Sequence, residues 1–401
     1  MQKLDNNAVI VSIDPGYDGT KVTVNGSTFD LPKKTVRKDR NAYETIGSLE
    51  GIYEITTKDG VFLFGPNIAS MVEDNAILHD QFDRGAEQSG NYSYFNTQEM
   101  TANTLGALMI ALLKAQRNGI IKKESDLEKT TPYVVMELPH EAMNSMPKAL
   151  AGQLVGKHDV RFKGRIALKE GETPEDIDLS TSITISADED HFLVISQVIA
   201  CLFGYITDEE GFEIDSLKDE YPTLVIDGGY YTIGKFMISK TKAISAAESM
   251  TEYGMQVIHD RTAKEINKKY KKNYKGYDME NLFMNEDGLI TIPWDESETG
   301  ANEEIDCKPI LKQETQAVFE ELMEYLEESC ERFIKVKQVL FGGGTGKIYY
   351  ELFSEVAKKR YPKIKVKLVT YSLDGGKTTI SPRESISAGG YKMMLNRLPE
   401  E

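Results

Sequence analysis

Two stretches of this chain follow one plan. VSIDPGYDGTKVTV runs from Val11 to Val24, and PTLVIDGGYYTIGKFMI runs from Pro222 to Ile238. In each, an apolar β-prone run ends in an aspartate, glycines follow, and a second β-prone run returns. This pattern predicts a strand, a tight turn and a strand. It recurs in a 401-residue chain, a length that is long for one core and predicts two domains or two halves around a cleft.

The first turn reads Asp14-Pro15-Gly16-Tyr17-Asp18-Gly19-Thr20-Lys21. Consecutive turn amides make a concave anion site. Glycine lets the backbone approach a phosphate, and Lys21 adds a point charge. Asp14 cannot bind phosphate itself, but it can hold the waters of a Mg2+ that bridges phosphates. The competing explanation is an ordinary hairpin that needs Asp-Gly for its turn. The second turn, Asp227-Gly228-Gly229-Tyr230-Tyr231-Thr232, poses the same choice. Together the two turns suggest a paired phosphate clamp around one metal.

A third motif, Gly342-Gly343-Gly344-Thr345-Gly346, lies between a predicted strand and a predicted helix. Three consecutive glycines cost conformational entropy. They imply close approach of a flat ligand, an anion at a helix N-terminus, or a merely flexible loop. Neither GGGTGKI nor DGGKTT is a phosphate loop of the G-x-x-x-x-G-K-[ST] form. The first ends in Ile348 with its glycines one position too close, and the second has Tyr371 where the first glycine belongs.

The rest of the chain reads as α/β. Residues 51–64 predict a second hairpin. A helix is expected from Thr97, its cap, to Asn118, closed by Gly119, with Leu105, Leu108, Met109 and Leu112 on one face. PYVVMELP predicts a buried strand, 160–187 three β-like pieces, and 190–205 an apolar helix. Helices are expected over 249–270 and 309–333, and a final helix capped by Ser381 with Pro382 at its first position.

Composition excludes several classes. With 64 acids against 47 bases, the net charge of −17 repels a phosphate backbone, so direct DNA binding is not expected. Three scattered cysteines and five scattered histidines offer no zinc spacing and fit a reducing, cytoplasmic setting. Acids occur too early for a signal peptide, and no apolar run is long enough for a membrane span.

The order of the motifs resembles the actin superfamily, and within it the bacterial actin-like proteins of plasmid segregation, the ParM type. The resemblance spans nearly the whole chain, although the matching residues are few. It implies an actin-like (ribonuclease H-like, duplicated) two-domain ATPase fold with a nucleotide cleft between the domains. Residues 1–196, closed by a C-terminal helix over 383–401, would form domain I. Residues 197–382 would form domain II, with an outer subdomain about 255–308. Asp14, Gly16 and Lys21 match the first phosphate motif, with Tyr17, Asp18 and Gly19 in the same loop; Pro15 and Tyr17 depart from the usual small residues. Asp227, Gly228, Gly229 and Thr232 match the second, around Tyr230. Gly342, Gly343, Gly344 and Thr345 match the adenosine turn, and Glu248 precedes the helix that walls the base. SQVIACLFGY resembles the connecting helix, which places Gln197 where the family positions its attacking water. A polar residue crossing a buried helix is the plainer reading of Gln197. The resemblance implies Mg2+, held by Asp14 and Asp227 through water, and hydrolysis of ATP or GTP. It further implies filaments of the chain itself and a DNA-binding adaptor joining them to a plasmid centromere. A small-molecule kinase of the same superfamily, using an Asp base, is the alternative.

Overall fold

The computed structural model describes residues 8–16, 19–32, 35–38, 50–68, 92–169, 171–241, 244–276, 278–279, 289–293, 302–373 and 378–398. Its contacts divide the chain into two compact units, Met1–Glu220 with Leu368–Glu401, and Tyr221–Lys367.

The first unit opens with β1 (Ile10–Pro15), β2 (Gly19–Val24) and β3 (Ser27–Pro32). They form an antiparallel meander in which Asp14 stands opposite Lys21. β4 (Val36–Arg37), β5 (Tyr53–Thr57) and β6 (Gly60–Phe64) follow, the last two as the expected hairpin. α1 (Gln98–Arg117) begins where the sequence places it: the Met100 amide donates to Thr97 Oγ1 at 3.1 Å. Gly119, at φ +80°, turns the chain away at its end. Next come β7 (Tyr133–Leu138), α2 (Pro147–Leu154), β8 (Gly156–Ile166) and β9 (Glu175–Ile185). Two long strands thus stand where three pieces are expected. β10 (Phe192–Ser196) and α3 (Gln197–Ile206) then divide the run expected as a single helix. Phe192–Ser196 pairs in parallel with β7, and that partner decides what an apolar run alone cannot.

One sheet of this unit has the order β10-β7-β1-β2-β3, and the other β4-β6-β5-β8-β9. α1 touches strands of both. That explains why it is buried on nearly all sides and not on the single face its periodicity suggests. Gly106 is the point of closest approach, because a Cβ there would collide with the Phe64 ring.

The second unit contains β11 (Thr223–Gly228), β12 (Ile233–Ile238), β13 (Ile244–Met250), α4 (Met255–Tyr270), β14 (Leu289–Pro293) and β15 (Asn302–Asp306). α5 (Lys308–Ser329), β16 (Gln338–Gly342), α6 (Gly346–Arg360) and β17 (Lys365–Leu368) complete it. The helix expected from 249 starts at Met255, because Ser249 and Met250 still pair with β12. The sheet order is β13-β12-β11-β16-β17. β11 runs antiparallel to β12 and parallel to β16, as β1 does to β2 and β7. The repetition seen in two hairpins therefore extends to two whole five-stranded sheets.

The chain ends with the hairpin β18 (Tyr371–Leu373) and β19 (Thr378–Ile380), then α7 (Ser385–Arg397). Ser381 acts one turn before the regular helix: its amide and hydroxyl both donate to Glu384 Oε2, at 3.1 and 2.8 Å. α7 packs on α3, and a Cβ at Gly389 would strike the Ala200 carbonyl. This packing groups α3 and the β18–β19 segment with the first unit. The contact boundaries fall at 220/221 and 367/368; the domain limits that the resemblance implies are 196/197 and 382/383. Among the described residues no helix is long and apolar enough to cross a membrane, and the three cysteines are buried thiols.

Candidate functional site

Each unit carries part of the predicted residue set. In the first unit, β1 delivers Asp14 to its C-terminal end, where the side chain is 3% exposed. The Gly16 amide closes back on the Asp14 carbonyl at 2.9 Å. A Cβ at Gly19 would stand 2.9 Å from the Leu31 carbonyl, so the return of the turn admits only glycine. Lys21 is buried, and its Nζ donates to the Gly19 carbonyl at 3.1 Å. Tyr17 and Asp18 lie outside the described residues.

Gln197 is the first residue of α3, and β10 and α3 together aim it at β1. Its Nε2 donates to Asp14 Oδ1 at 2.7 Å, across 183 residues of sequence. The aspartate and the glutamine read separately in the sequence are therefore one hydrogen-bonded pair.

Behind this pair lies a group that the sequence motifs do not reveal. Glu137, on β7, is fully buried. It accepts a hydrogen bond from the Ser12 hydroxyl, and Gly390 of α7 leaves it room, since a Cβ there would collide with both. Burial, and then the neighbouring charge of Asp14, push the Glu137 carboxyl well above the usual carboxylate range. In the sequence Glu137 is only the one acid inside PYVVMELP. Such an acid within an apolar, strand-like run is the signal that could have found it.

In the second unit two predicted motifs interlock. Asp227 ends β11, buried, with Gly342 of β16 as its parallel neighbour. The Thr345 amide donates to the Gly228 carbonyl at 2.9 Å, and its hydroxyl to the Gly229 carbonyl at 2.8 Å. Gly343 takes φ +76°, and a Cβ there would collide with Gly228. A Cβ at Gly228 would in turn strike the Gly346 amide, so both glycines serve this close approach. Gly344 is different: nothing stands within 4 Å of where its Cβ would be, which leaves its backbone open to a ligand. The Gly229 amide donates to the Thr232 carbonyl at 2.9 Å and closes the hairpin tip.

α4 starts on that same tip. The Gln256 amide donates to the Tyr230 carbonyl at 2.8 Å. The Tyr230 side chain turns inward, with its hydroxyl 3.3 Å from His259 Nδ1. Glu248 stands on β13 and accepts from the Tyr325 hydroxyl, with Lys235 Nζ at 3.4 Å. Lys235, within the second hairpin stretch but not among its predicted site residues, is fully buried, donates to Ser329 Oγ at 2.8 Å and lies 4.4 Å from the centre of the Tyr325 ring.

Chemically, both units place a buried carboxylate at the end of a central strand beside a glycine turn. In each unit a buried carboxylate so placed fits a hydrated divalent cation. Among the described residues no cluster of three or more His, Cys, Asp and Glu forms an all-protein metal cage. Mg2+ seldom needs one, because it keeps several of its waters.

Two sheets of one order, each with an Asp-Gly turn ending its central strand, are the duplicated core of an actin-like fold. No protein-family model matches the chain, and no curated protein matches its sequence. Solved structures match it over almost its full length. The actin-like protein Alp7A aligns with 97% of this chain and 96% of its own, at 14% identity and a TM-score of 0.60. Bacillus thuringiensis ParM with AMPPNP aligns with 96% of this chain and 98% of its own, at 12% identity and a TM-score of 0.55. An Alp12 filament structure aligns with 97% and 99%, at 13% identity and a TM-score of 0.51. The chain has the actin-like fold, and the structures most like it include the ParM and Alp proteins.

Proposed function

We propose that this protein is a nucleoside triphosphate hydrolase that polymerises into dynamic filaments and segregates plasmid DNA in the cytoplasm. The observation that carries the reading is the matched pair of sheets, each ending its central strand in a buried aspartate beside a glycine turn. AMPPNP in one structural neighbour and the filament of another support it.

In this reading Asp14 and Asp227 hold the waters of Mg2+, which when bound offsets phosphate charge. Lys21 and the two turns, through Gly16, Tyr17, Asp18 and Gly19 in the first and Gly228, Gly229, Tyr230 and Thr232 in the second, hold the phosphates of ATP or GTP. Gly342, Gly343, Gly344 and Thr345 take the nucleoside, with Glu248 near the base. Gln197 orients the attacking water; an amide can align a water but cannot remove its proton at neutral pH. An acidic filament needs a DNA-binding adaptor to hold its plasmid.

The test is sedimentation with ATP, GTP and their slowly hydrolysed analogues, with and without Mg2+, alongside phosphate release. Pelleting is expected only with nucleotide and Mg2+. Gln197→Ala should still pellet while releasing phosphate about 10²-fold more slowly. Normal release by that variant removes Gln197 from its role. Phosphate transfer to sugars without pelleting favours the kinase reading.

A further inference from the structure

One surface of the second unit fits a segment of the same unit in charge and in chemistry. α5 and α6 enclose a groove of about 460 Å³. Phe319 and Met323 form its buried floor, and Leu352 and Val356 its half-buried walls. Its rim is acidic: Glu320, Glu324 and Glu355 are exposed there. Glu327 is half-buried and already engaged by Arg360, at 3.1 Å, and by the Tyr361 hydroxyl. Lys359 is the remaining basic residue of the lining.

This acidic chain also concentrates lysine in one place. Lys264, Lys268, Lys269, Lys271, Lys272 and Lys275 fall within twelve residues, with Glu265 the one acid among them. All but Lys272 are exposed, on the last turns of α4 and the segment after it. Tyr270 and Tyr274 anchor this segment on Ile266 and Cys307, beside the start of α5. The lysines thus cluster near the N-terminal end of α5, while the groove occupies α5 from Gln316 to Glu327.

A lysine stem lies well along an apolar floor while its ammonium reaches an acidic rim. The two surfaces are different patches of one chain, so their pairing between copies is heterologous and need not close. We propose that the α5–α6 groove of one copy receives the Lys264–Lys275 segment of the next, forming the repeating contact of the polymer. This rests on the filament reading above and assigns it a pair of surfaces.

Two charge-reversed full-length chains test it. One carries Glu320→Lys, Glu324→Lys and Glu355→Lys; the other carries Lys264→Glu, Lys268→Glu and Lys271→Glu. Circular dichroism checks that both fold. Each alone should need a critical concentration raised by about tenfold or more in nucleotide-driven pelleting, since like charges then meet across the contact. An equimolar mixture should pellet again, because each reversed surface finds an opposite one and each unaltered surface keeps its original partner. Pelleting of either variant alone at the wild-type concentration overturns the proposal and leaves the filament reading intact. Failure of the mixture, with both chains folded, overturns it as well. A wild-type chain that never pellets with any nucleotide overturns the filament reading itself.

Discussion

Glu137 and Lys392 are buried ionisable groups that bear on the Asp14–Gln197 pair from opposite ends of α3. Glu137 adjoins Asp14 at the start of the helix. Lys392, on α7, donates to the Gly204 and Thr207 carbonyls at its end, both at 2.9 Å, and lies 4.1 Å from the centre of the Tyr371 ring. Burial favours the neutral form of each. A carboxyl raised in the folded chain keeps its proton where the unfolded chain has lost it. Stability is therefore lost as pH rises above the ordinary glutamate range, about 4.3. Glu137→Gln imitates the protonated form. It should melt higher than wild type at pH 7, and thermal melts from pH 4 to 7 should show that advantage vanish at the acid end. Lys392 runs the other way. Burial lowers it to about 8, while Asp208 and Glu209 limit the fall. Between there and the ordinary lysine value of about 10.4, only the unfolded chain holds the proton. Wild-type stability relative to Lys392→Met should thus rise with pH from 8 to 10, and a flat difference would reject the shift.

Among the elements, α1 and α7 show how far local sequence reaches. Thr97 and Gly119 are legible as the ends of α1 because caps and stops act within one turn. Thr97→Ala should lower stability by about 1 kcal/mol in denaturant titration. The α3 boundary is not legible, since the apolar run from Phe192 becomes a strand only through pairing with β7. The glycine pair of α7 is equally opaque, because its reason lies elsewhere in the chain. Gly389 backs on the Ala200 carbonyl, and Gly390 on Ser12 and Glu137. Gly389→Ala gains helix propensity but forces α7 off α3. It should cost about 1–3 kcal/mol, the range for an overpacked core, measured by the same titration. A stabilised variant would mean the helices separate at little cost.

At the scale of the whole molecule, the repeat is visible as two Asp-Gly turns because the turns are its most constrained residues. The strands around them keep only a preference for apolar, β-prone side chains, which different sequences satisfy equally well. The matching sheet orders cannot be read from those strands, and neither can Glu137, whose setting depends on contacts distant in sequence. The repeat leaves one choice that calorimetry decides. If the two aspartate turns serve a single nucleotide, as we propose, wild type binds one Mg-nucleotide per chain, and Asp14→Ala or Asp227→Ala alone abolishes binding. If each unit holds its own, wild type binds two and each variant keeps one. Thermal stability separates the same alternatives by another route, because a ligand at a hundred times its Kd stabilises the fold by about 2.7 kcal/mol. With a shared nucleotide, either substitution should remove the whole of that gain. With separate sites the gain is about 5.4 kcal/mol, each substitution should remove about half of it, and the double variant should be needed to erase it.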